Sequence, residues 1–429
     1  MTNSLRIDRS RRILLVDCDA FYVQVARLED PEGAGRADLL IVGGSPEGRG
    51  VVSSASYEAR RYGVRSAMPT AHALRLCPDA LVVPVPRAAC TARSAEVRAV
   101  LERVAPVVEA ASIDEFYLDL TGTEAIYPGQ SLAEIGESIR KLVLEESGIG
   151  VSIGGGTQRV IAKLAVELAK PGGVHIVPAG SEATFMRRFK LAEIPGVGPV
   201  MAERLRSRGL EMVDDALPHS EEGLRSWLGD AAGKSLYQKI RGYDPTPVTP
   251  RSPARSISRE ETFPYDIDED SELEAQLLRL VVRATSELRN GGLIARTITV
   301  RVRDMDFRRR QASLTLDEGV RSERVVYQRA VELLSGLRRR RHIPVRLVGV
   351  SLSQLEAEGI GSEQLGLFDQ GAGAGEGIAD RRLETSRDRE LSRAVDRLRA
   401  RFGTEAIVPA GLIDRRTRSS RTSSRREEE

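Results

Sequence analysis

Cysteine is nearly absent: Cys18, Cys77 and Cys90 are the only three in 429 residues, and no two of them form a CxxC pair. A scattered, odd-numbered set excludes a disulfide framework and a cysteine-held zinc site, and the expectation is a reduced, cytoplasmic protein. Histidine is as sparse, and His72, His175, His219 and His342 lack metal-site spacing. Six of the 64 basic residues are lysine; an arginine bias of this kind tracks genome composition and is not by itself a functional signal. With 64 basic against 62 acidic residues the formal net charge is only +2, so the field of the whole chain selects no partner and any basic surface must be local. No window reaches the roughly 18 apolar residues of a membrane span. The run Ile13-Val16 behind Arg11 and Arg12 is broken by Asp17 and Asp19, far short of a signal peptide.

What is present is length and pattern. At 41% hydrophobic residues the chain can build two to four domains, each with its own core. Short apolar strands at Ile13-Val16 and Leu39-Val42, a helix over Phe21-Glu29, helices over 93-104 and 131-145, and two strands meeting at a bend within Val107-Leu120 alternate through about residue 176. That is α/β order. Residues 182-242 carry only short helical patterns, broken by Pro195-Gly196-Val197-Gly198. Pro245, Pro247, Pro250 and Pro253 then predict a semi-rigid linker that few core contacts cross.

Beyond it the order βαββαβ is expected, a split βαβ arrangement. Ile298, Val300 and Val302 alternate there with Thr299, Arg301 and Arg303, which predicts a strand with one apolar and one basic face. Residues 370-379 are Gly-rich and expected to lack order, 383-402 reads as an amphipathic helix carrying Leu391, Val395 and Leu398, and 414-429 reads as a disordered tail.

Three constellations carry chemistry. Asp17-Cys18-Asp19 ends a strand and Asp114-Glu115 lies at the bend of a strand pair. Phosphoryl transfer needs clustered oxygen ligands holding two Mg²⁺ about 4 Å apart, which two such acidic pairs supply if the chain turns at Asp114. Tyr57 and Arg60 lie three apart, offering a hydroxyl and a guanidinium to a polyphosphate. Lys163 and Lys170, seven apart on a helix expected over 158-170, share a face with Glu167. Taken one at a time, each also reads as an ordinary solvated turn or helix face.

Together, Val16-Asp17-Cys18-Asp19-Ala20-Phe21-Tyr22, the stretch from Gly50 through Ser54-Ala55-Ser56-Tyr57-Glu58-Ala59-Arg60 to Pro69, Ser112-Ile113-Asp114-Glu115-Phe116-Tyr117-Leu118-Asp119 and Ala162-Lys163-Leu164-Ala165 resemble the Y-family translesion DNA polymerases, most nearly the bacterial DNA polymerase IV group. The resemblance runs in order from about residue 11 to 355. It implies a right-hand polymerase of α/β and α+β domains: palm with a ferredoxin-like sheet (11-28 and 87-176), fingers (29-86), thumb with a helix-hairpin-helix (177-244), linker (245-254), a βαββαβ little finger (255-355) and a C-terminal clamp-binding segment, helix and tail (356-429).

The implied function is template-directed, low-fidelity DNA synthesis across damaged templates, the primer 3′-OH attacking the α-phosphate of a dNTP in line. By the same resemblance Asp17, Asp114, Glu115 and the backbone carbonyl of Cys18 hold two Mg²⁺. Tyr22 is the steric gate against the ribose 2′-OH, while Phe21, Tyr22, Ser54, Tyr57, Arg60 and Lys170 bind the nucleotide. Gly196 and Gly198 of Ile194-Pro195-Gly196-Val197-Gly198-Pro199, opening a helix at Met201-Arg208, and Arg301 and Arg303 of the little finger grip DNA without reading its sequence. Gln364-Leu365-Gly366-Leu367-Phe368 is similar to the pentapeptide that tethers bacterial polymerases to the sliding clamp. No membrane contact is implied, and the chain is expected to be a monomer.

Two departures from the family pattern stand out. Gly156-Thr157-Gln158-Arg159 replaces the common Ser-x-Asn-Lys, and Cys90-Thr91 occupy a neighbourhood where a tyrosine is usual. A competing reading is a non-catalytic accessory relative that binds DNA; such a protein is expected to lose metal carboxylates, and Asp17, Asp114 and Glu115 are all present.

Overall fold

A computed structural model describes residues 7–250, 253–358, 383–403 and 406–409. The expected clamp motif at 364–368, the Gly-rich stretch at 370–379 and the tail from 414 lie outside the described residues. The chain divides into two compact units, one up to Ser252 and one from Pro253.

The first unit is built on β1 (Ile13–Cys18), whose six residues are all buried because both of its faces are covered. Helix α1 (Phe21–Glu29) follows at once. A small sheet comes next, with β2 (Leu40–Gly43), β3 (Val52–Ala55), the short helices α2 (Tyr57–Arg61) and α3 (Thr70–Leu76), and β4 (Leu81–Val83), in strand order β3-β2-β4. Helix α4 (Arg87–Val104) leads back to β5 (Val107–Ala110) and β6 (Glu115–Asp119). Then α5 (Leu132–Ser147), β7 (Val151–Gly156), α6 (Arg159–Ala169) and β8 (Val174–Ile176) complete a five-stranded sheet of order β5-β6-β1-β7-β8. Alternation along β1 sorts its side chains. Leu14 and Val16 join Phe116 and Leu118 against Val97 and Leu101 of α4 and Ile135, Ile139 and Val143 of α5, whereas Ile13 and Leu15 meet Tyr117, Ala162 and Val166.

Strand β7 carries no sequence signal of its own, because three of its six residues are glycine, a poor strand former. Close approach explains them. A Cβ on Gly154 would stand 2.2 Å from the Val166 nitrogen and 2.3 Å from the Ala162 oxygen, so α6 lies directly on the strand and alanine has no room.

Residues 182–239 form α7 (Glu182–Met186), a 3-10 turn at Leu191–Glu193, α8 (Pro199–Arg206), α9 (Val213–Ala216), α10 (Glu221–Leu228) and α11 (Asp230–Lys239). Helix α8 starts two residues before the Met201 expected, since Pro199 at its first position has the right fixed φ and no N–H to leave unsatisfied. The helical core is shared with α6 through Val160, Ile161, Leu164 and Ala165.

The proline-rich stretch differs from expectation over its first half. Val248 is buried among Ile13, Leu15, Tyr117, Ala162 and Val166. The Thr249 N–H donates to Glu109 Oε2 at 2.9 Å, and Arg159 Nη1 donates to the Pro247 carbonyl at 3.0 Å. One apolar residue and two backbone groups thus fasten 247–249 to the first unit.

The second unit is β9 (Ser256–Ile267), α12 (Asp270–Asn290), β10 (Leu293–Asp304), β11 (Arg309–Val320), α13 (Glu323–Arg340), β12 (Val345–Ala357) and then α14 (Ser386–Phe402). The order βαββαβ forms one antiparallel sheet, β11-β10-β12-β9. Ile298, Val300 and Val302 point into a core made with α12 and α13, so their neighbours Arg301 and Arg303 stand half-exposed on the other face. Among the described residues no helix is long and apolar enough to cross a membrane.

Candidate active site

The acidic residues meet where β1 leaves the large sheet. Asp17 is directly opposite Glu115 across the β1–β6 pairing. The chain turns between β5 and β6 at Ala111–Asp114, and Ser112 shapes that turn: its Oγ accepts from the Asp114 N–H (3.2 Å) and the Glu115 N–H (3.1 Å). The Cys18 N–H donates to the Asp114 carbonyl at 2.9 Å, tying the turn to the end of β1. The buried Cys18 thiol registers the resulting field. Its pKa is pushed well above the ordinary value by burial first and then by Asp114, Asp17, Asp19 and Glu115.

Two ammonium groups lie against these carboxylates. Lys163 bonds Glu115 Oε1 and lies 3.9 Å from Asp17 Oδ2. Lys170 reaches Asp17 Oδ2 and Glu167 Oε1, each at 2.9 Å. Lys163 lies on α6, whereas Lys170, expected as part of that helix, is the extended residue that caps its C-terminal end, and the Gly154 contact sets the helix against β7 beside β1. Burial raises the Asp17 pKa to about 6, with Lys170 and Lys163 acting in the opposite sense. For Lys170, burial alone would lower the pKa, but Asp17 and Glu167 more than offset it and the net shift is upward.

Among the described residues no three side chains of the His, Cys, Asp and Glu types are gathered closely enough to form a ready metal cage. The donor chemistry nevertheless fits a hard divalent cation: the set is all oxygen, and a carboxylate as buried as Asp17 calls for a positive partner. Lysine supplies that charge here.

Beside the acidic pair, Asp19 is a hydrogen-bond hub. Tyr57 Oη donates to Asp19 Oδ1 at 3.0 Å, Ser152 Oγ donates at 2.8 Å, and the Gly172 N–H reaches Oδ2 at 2.9 Å. Asp19 therefore joins α2, β7 and the turn after α6, and its place in the acidic triplet gives no sign of this. The Tyr57 hydroxyl is raised by burial and then by Asp19. Arg60 Nε donates to the Ala55 carbonyl at 3.0 Å, and its guanidinium lies 5.0 Å from the Tyr57 ring centre. Phe21 is buried in the core, which leaves only its backbone to meet a ligand. Tyr22 is half-buried, with its ring edge-to-face against Phe21 at 5.7 Å. Ser54 is buried in β3 opposite Val42.

The remaining residues lie elsewhere. Gly196 has φ +95°, a conformation that favours glycine, and Lys239 Nζ donates to the Pro195 carbonyl beside it. Gly198 caps α8. In the second unit Arg301 pairs with Glu260 at 2.9 Å across the exposed sheet face.

The departure at 157–159 proves to be structural. Thr157 Oγ1 donates to Glu182 Oε1 (2.6 Å), Gln158 Oε1 accepts from the Asp244 N–H (3.0 Å), and Arg159 forks onto Glu109 (2.5 and 2.8 Å) with its guanidinium 3.9 Å from the Tyr117 ring centre. No local pattern marks these residues, because every partner is at least 25 residues away in the chain.

The family model described as "impB/mucB/samB family" matches residues 16–167, its C-terminal domain model matches 254–367, and a model described as "DNA polymerase-iota, thumb domain" matches 192–244. The chain is 36% identical over 350 residues to the DNA polymerase IV of Halorhodospira halophila, covering 81% of this chain and 96% of that protein. It is 35% identical over 397 residues to the DNA polymerase IV of Dehalococcoides mccartyi strain CBDB1, covering 92% and 96%. Among solved structures, a Y-family DNA polymerase chimera of Dbh superposes with a TM-score of 0.73 at 27% identity, over 81% of this chain and 99% of that one. An insertion ternary complex of Dbh DNA polymerase gives 0.58 at 27%, with the same coverage. On these matches the chain belongs to the Y-family DNA polymerases, with the bacterial DNA polymerase IV group, and its function is low-fidelity, template-directed translesion synthesis.

Proposed function

We propose that Asp17, Asp114 and Glu115, with the Cys18 carbonyl, are the ligands of two Mg²⁺ ions, and that Tyr22, Tyr57, Arg60 and Lys170 receive the incoming dNTP beside them. One observation carries this reading: Lys163 of α6 and Lys170 at its C-terminal cap already hold positive charge against Asp17 and Glu115. When bound, the metal ions activate the primer 3′-OH and neutralise charge on the leaving pyrophosphate. The rest falls to the chain's own side chains. Lys170 and Arg60 offer cationic donors to the triphosphate, Tyr57 and Ser54 add hydroxyls, and the Phe21 and Tyr22 amides add backbone donors. Tyr22 fills the space beneath the sugar, where a 2′-OH would clash.

Primer-template DNA is the macromolecular substrate, held through the Gly196–Gly198 turn and the Arg301 and Arg303 face. The domain ranges are those implied by the family pattern; a unit boundary at Ser252 and a thumb-model match over 192–244 support them. The chain works as a cytoplasmic monomer, recruited to the sliding clamp by Gln364, Leu365, Leu367 and Phe368.

The nucleotide assignment is tested by Lys170→Met. Losing a charge-assisted contact to phosphate is expected to raise the KM for dNTP by about tenfold to a hundredfold while primer-template affinity is kept. An unchanged KM would remove Lys170 from the nucleotide site. For the clamp, replacing Leu367 and Phe368 by alanine is expected to abolish clamp-stimulated synthesis and spare basal synthesis; equal stimulation of both forms counts against the tether.

A further inference from the structure

We propose that the α12–α13 face of the second unit is a docking surface for a detachable helix, and that α14 of this same chain is its resident, held by ion pairs rather than by a shared core.

Two acidic side chains of α14, eight residues apart and so on one face, each meet an arginine in a two-pronged contact. Asp388 accepts from Arg324 Nε and Nη2, both at 2.7 Å, and Asp396 accepts from Arg289 Nε (2.6 Å) and Nη2 (2.8 Å). Just ahead of the helix the buried Glu384 accepts from the Arg321 N–H at 3.1 Å and from the Ser322 N–H, which places a carboxylate on the N-terminus of α13. Arg393 reaches Glu358 at 3.3 Å. The polar lock is therefore extensive.

Apolar closure is slight by comparison. Leu391 and Phe402 are 62% and 61% exposed. Below the helix lies a cavity of about 370 Å³ bordered by Leu278, Tyr327, Leu391, Val395, Ile407 and Val408. Arg399, 9% exposed, lines the same cavity; its Nη1 lies 3.6 Å from Glu323 and makes no hydrogen bond. The core of the βαββαβ sheet and its two helices contains no buried residue of α14, and only Leu383 ahead of it packs against that core. So the domain is complete without the helix, and what retains the helix is electrostatic and sensitive to screening.

The resident comes from the same chain because Arg321 binds on both sides of the intervening segment. Its Nη1 bonds Glu358, where β12 has just ended, and its backbone N–H bonds Glu384, where the chain returns.

The test is hydrogen exchange on the full chain, wild type and Asp396→Ala, at about 0.1 M and about 1 M NaCl, which shortens the screening length from about 10 Å to about 3 Å. Alanine is the better helix former, so faster exchange in this variant reports loss of the dock and not of helical propensity. For wild type, amides of 389–402 are expected to exchange about tenfold faster at the higher salt. In Asp396→Ala they are fast at both, while α12 and α13 keep their protection throughout. Protection of α14 equal to that of α12 and indifferent to salt and variant would make it an integral part of the domain and overturn the proposal. Absence of protection in wild type at low salt would also overturn it, as would protection that rises with protein concentration, the signature of a helix supplied by a second copy.

Discussion

Asp114→Ala is expected to lower single-turnover dNTP incorporation by at least about 10³-fold, the scale on which removing preorganised stabilisation of a reacting phosphate is felt. Stability and primer-template affinity are expected to stay near wild type. The turn that carries Asp114 is held by main-chain groups: the Cys18 N–H on the Asp114 carbonyl and the Asp114 and Glu115 N–H groups on Ser112 Oγ. Alanine keeps all of them and loses only the carboxylate, which is half-buried and bonded within the chain by Ser112 Oγ. The measurement is quench-flow primer extension alongside fluorescence anisotropy on DNA and a thermal melt. Incorporation at the wild-type rate would show that the acidic turn is not the reacting centre; a fall in melting temperature would show that Asp114 serves the fold.

Tyr22→Ala is expected to reduce discrimination against ribonucleotides on the order of 10²-fold, with dNTP incorporation affected less. Space is the argument. Tyr22 is half-buried, packed edge-to-face on Phe21 at the start of α1, two residues beyond the turn that leaves β1. Rigidity on that base lets an aromatic ring exclude a single hydroxyl. Alanine empties the volume without touching an acidic group, so rNTP and dNTP kcat/KM values measured side by side isolate the sugar effect. Unchanged selectivity would assign the gate to another side chain.

Legibility differed from element to element for physical reasons. Strand β1 was readable because an apolar run ends abruptly in Asp17, and the need for a turn at Asp114 followed from the two-residue alternation of strands. Lys163 was readable on α6, but Lys170, expected on the same helix face, follows the helix as its extended C-cap. Strand β7 was hidden because its glycines serve a helix that packs on it and not a strand pattern. Asp19 was hidden in a different way: an acidic residue next to Asp17 looks like part of the same cluster, yet it is spent on Tyr57, Ser152 and Gly172. The prolines from 245 onward gave a linker, but the pocket that swallows Val248 is assembled from strands and a helix remote in sequence, so no local pattern announces it.

The platform of Arg159, Glu109 and Tyr117 decides where the first unit ends. With Pro247, Val248 and Thr249 committed to the first unit, about half of the linker expected over 245–254 belongs to that unit instead. A single guanidinium on α6 thus acts on a stretch 88 residues further along the chain, fixing where the first unit ends without altering the sequence of that stretch.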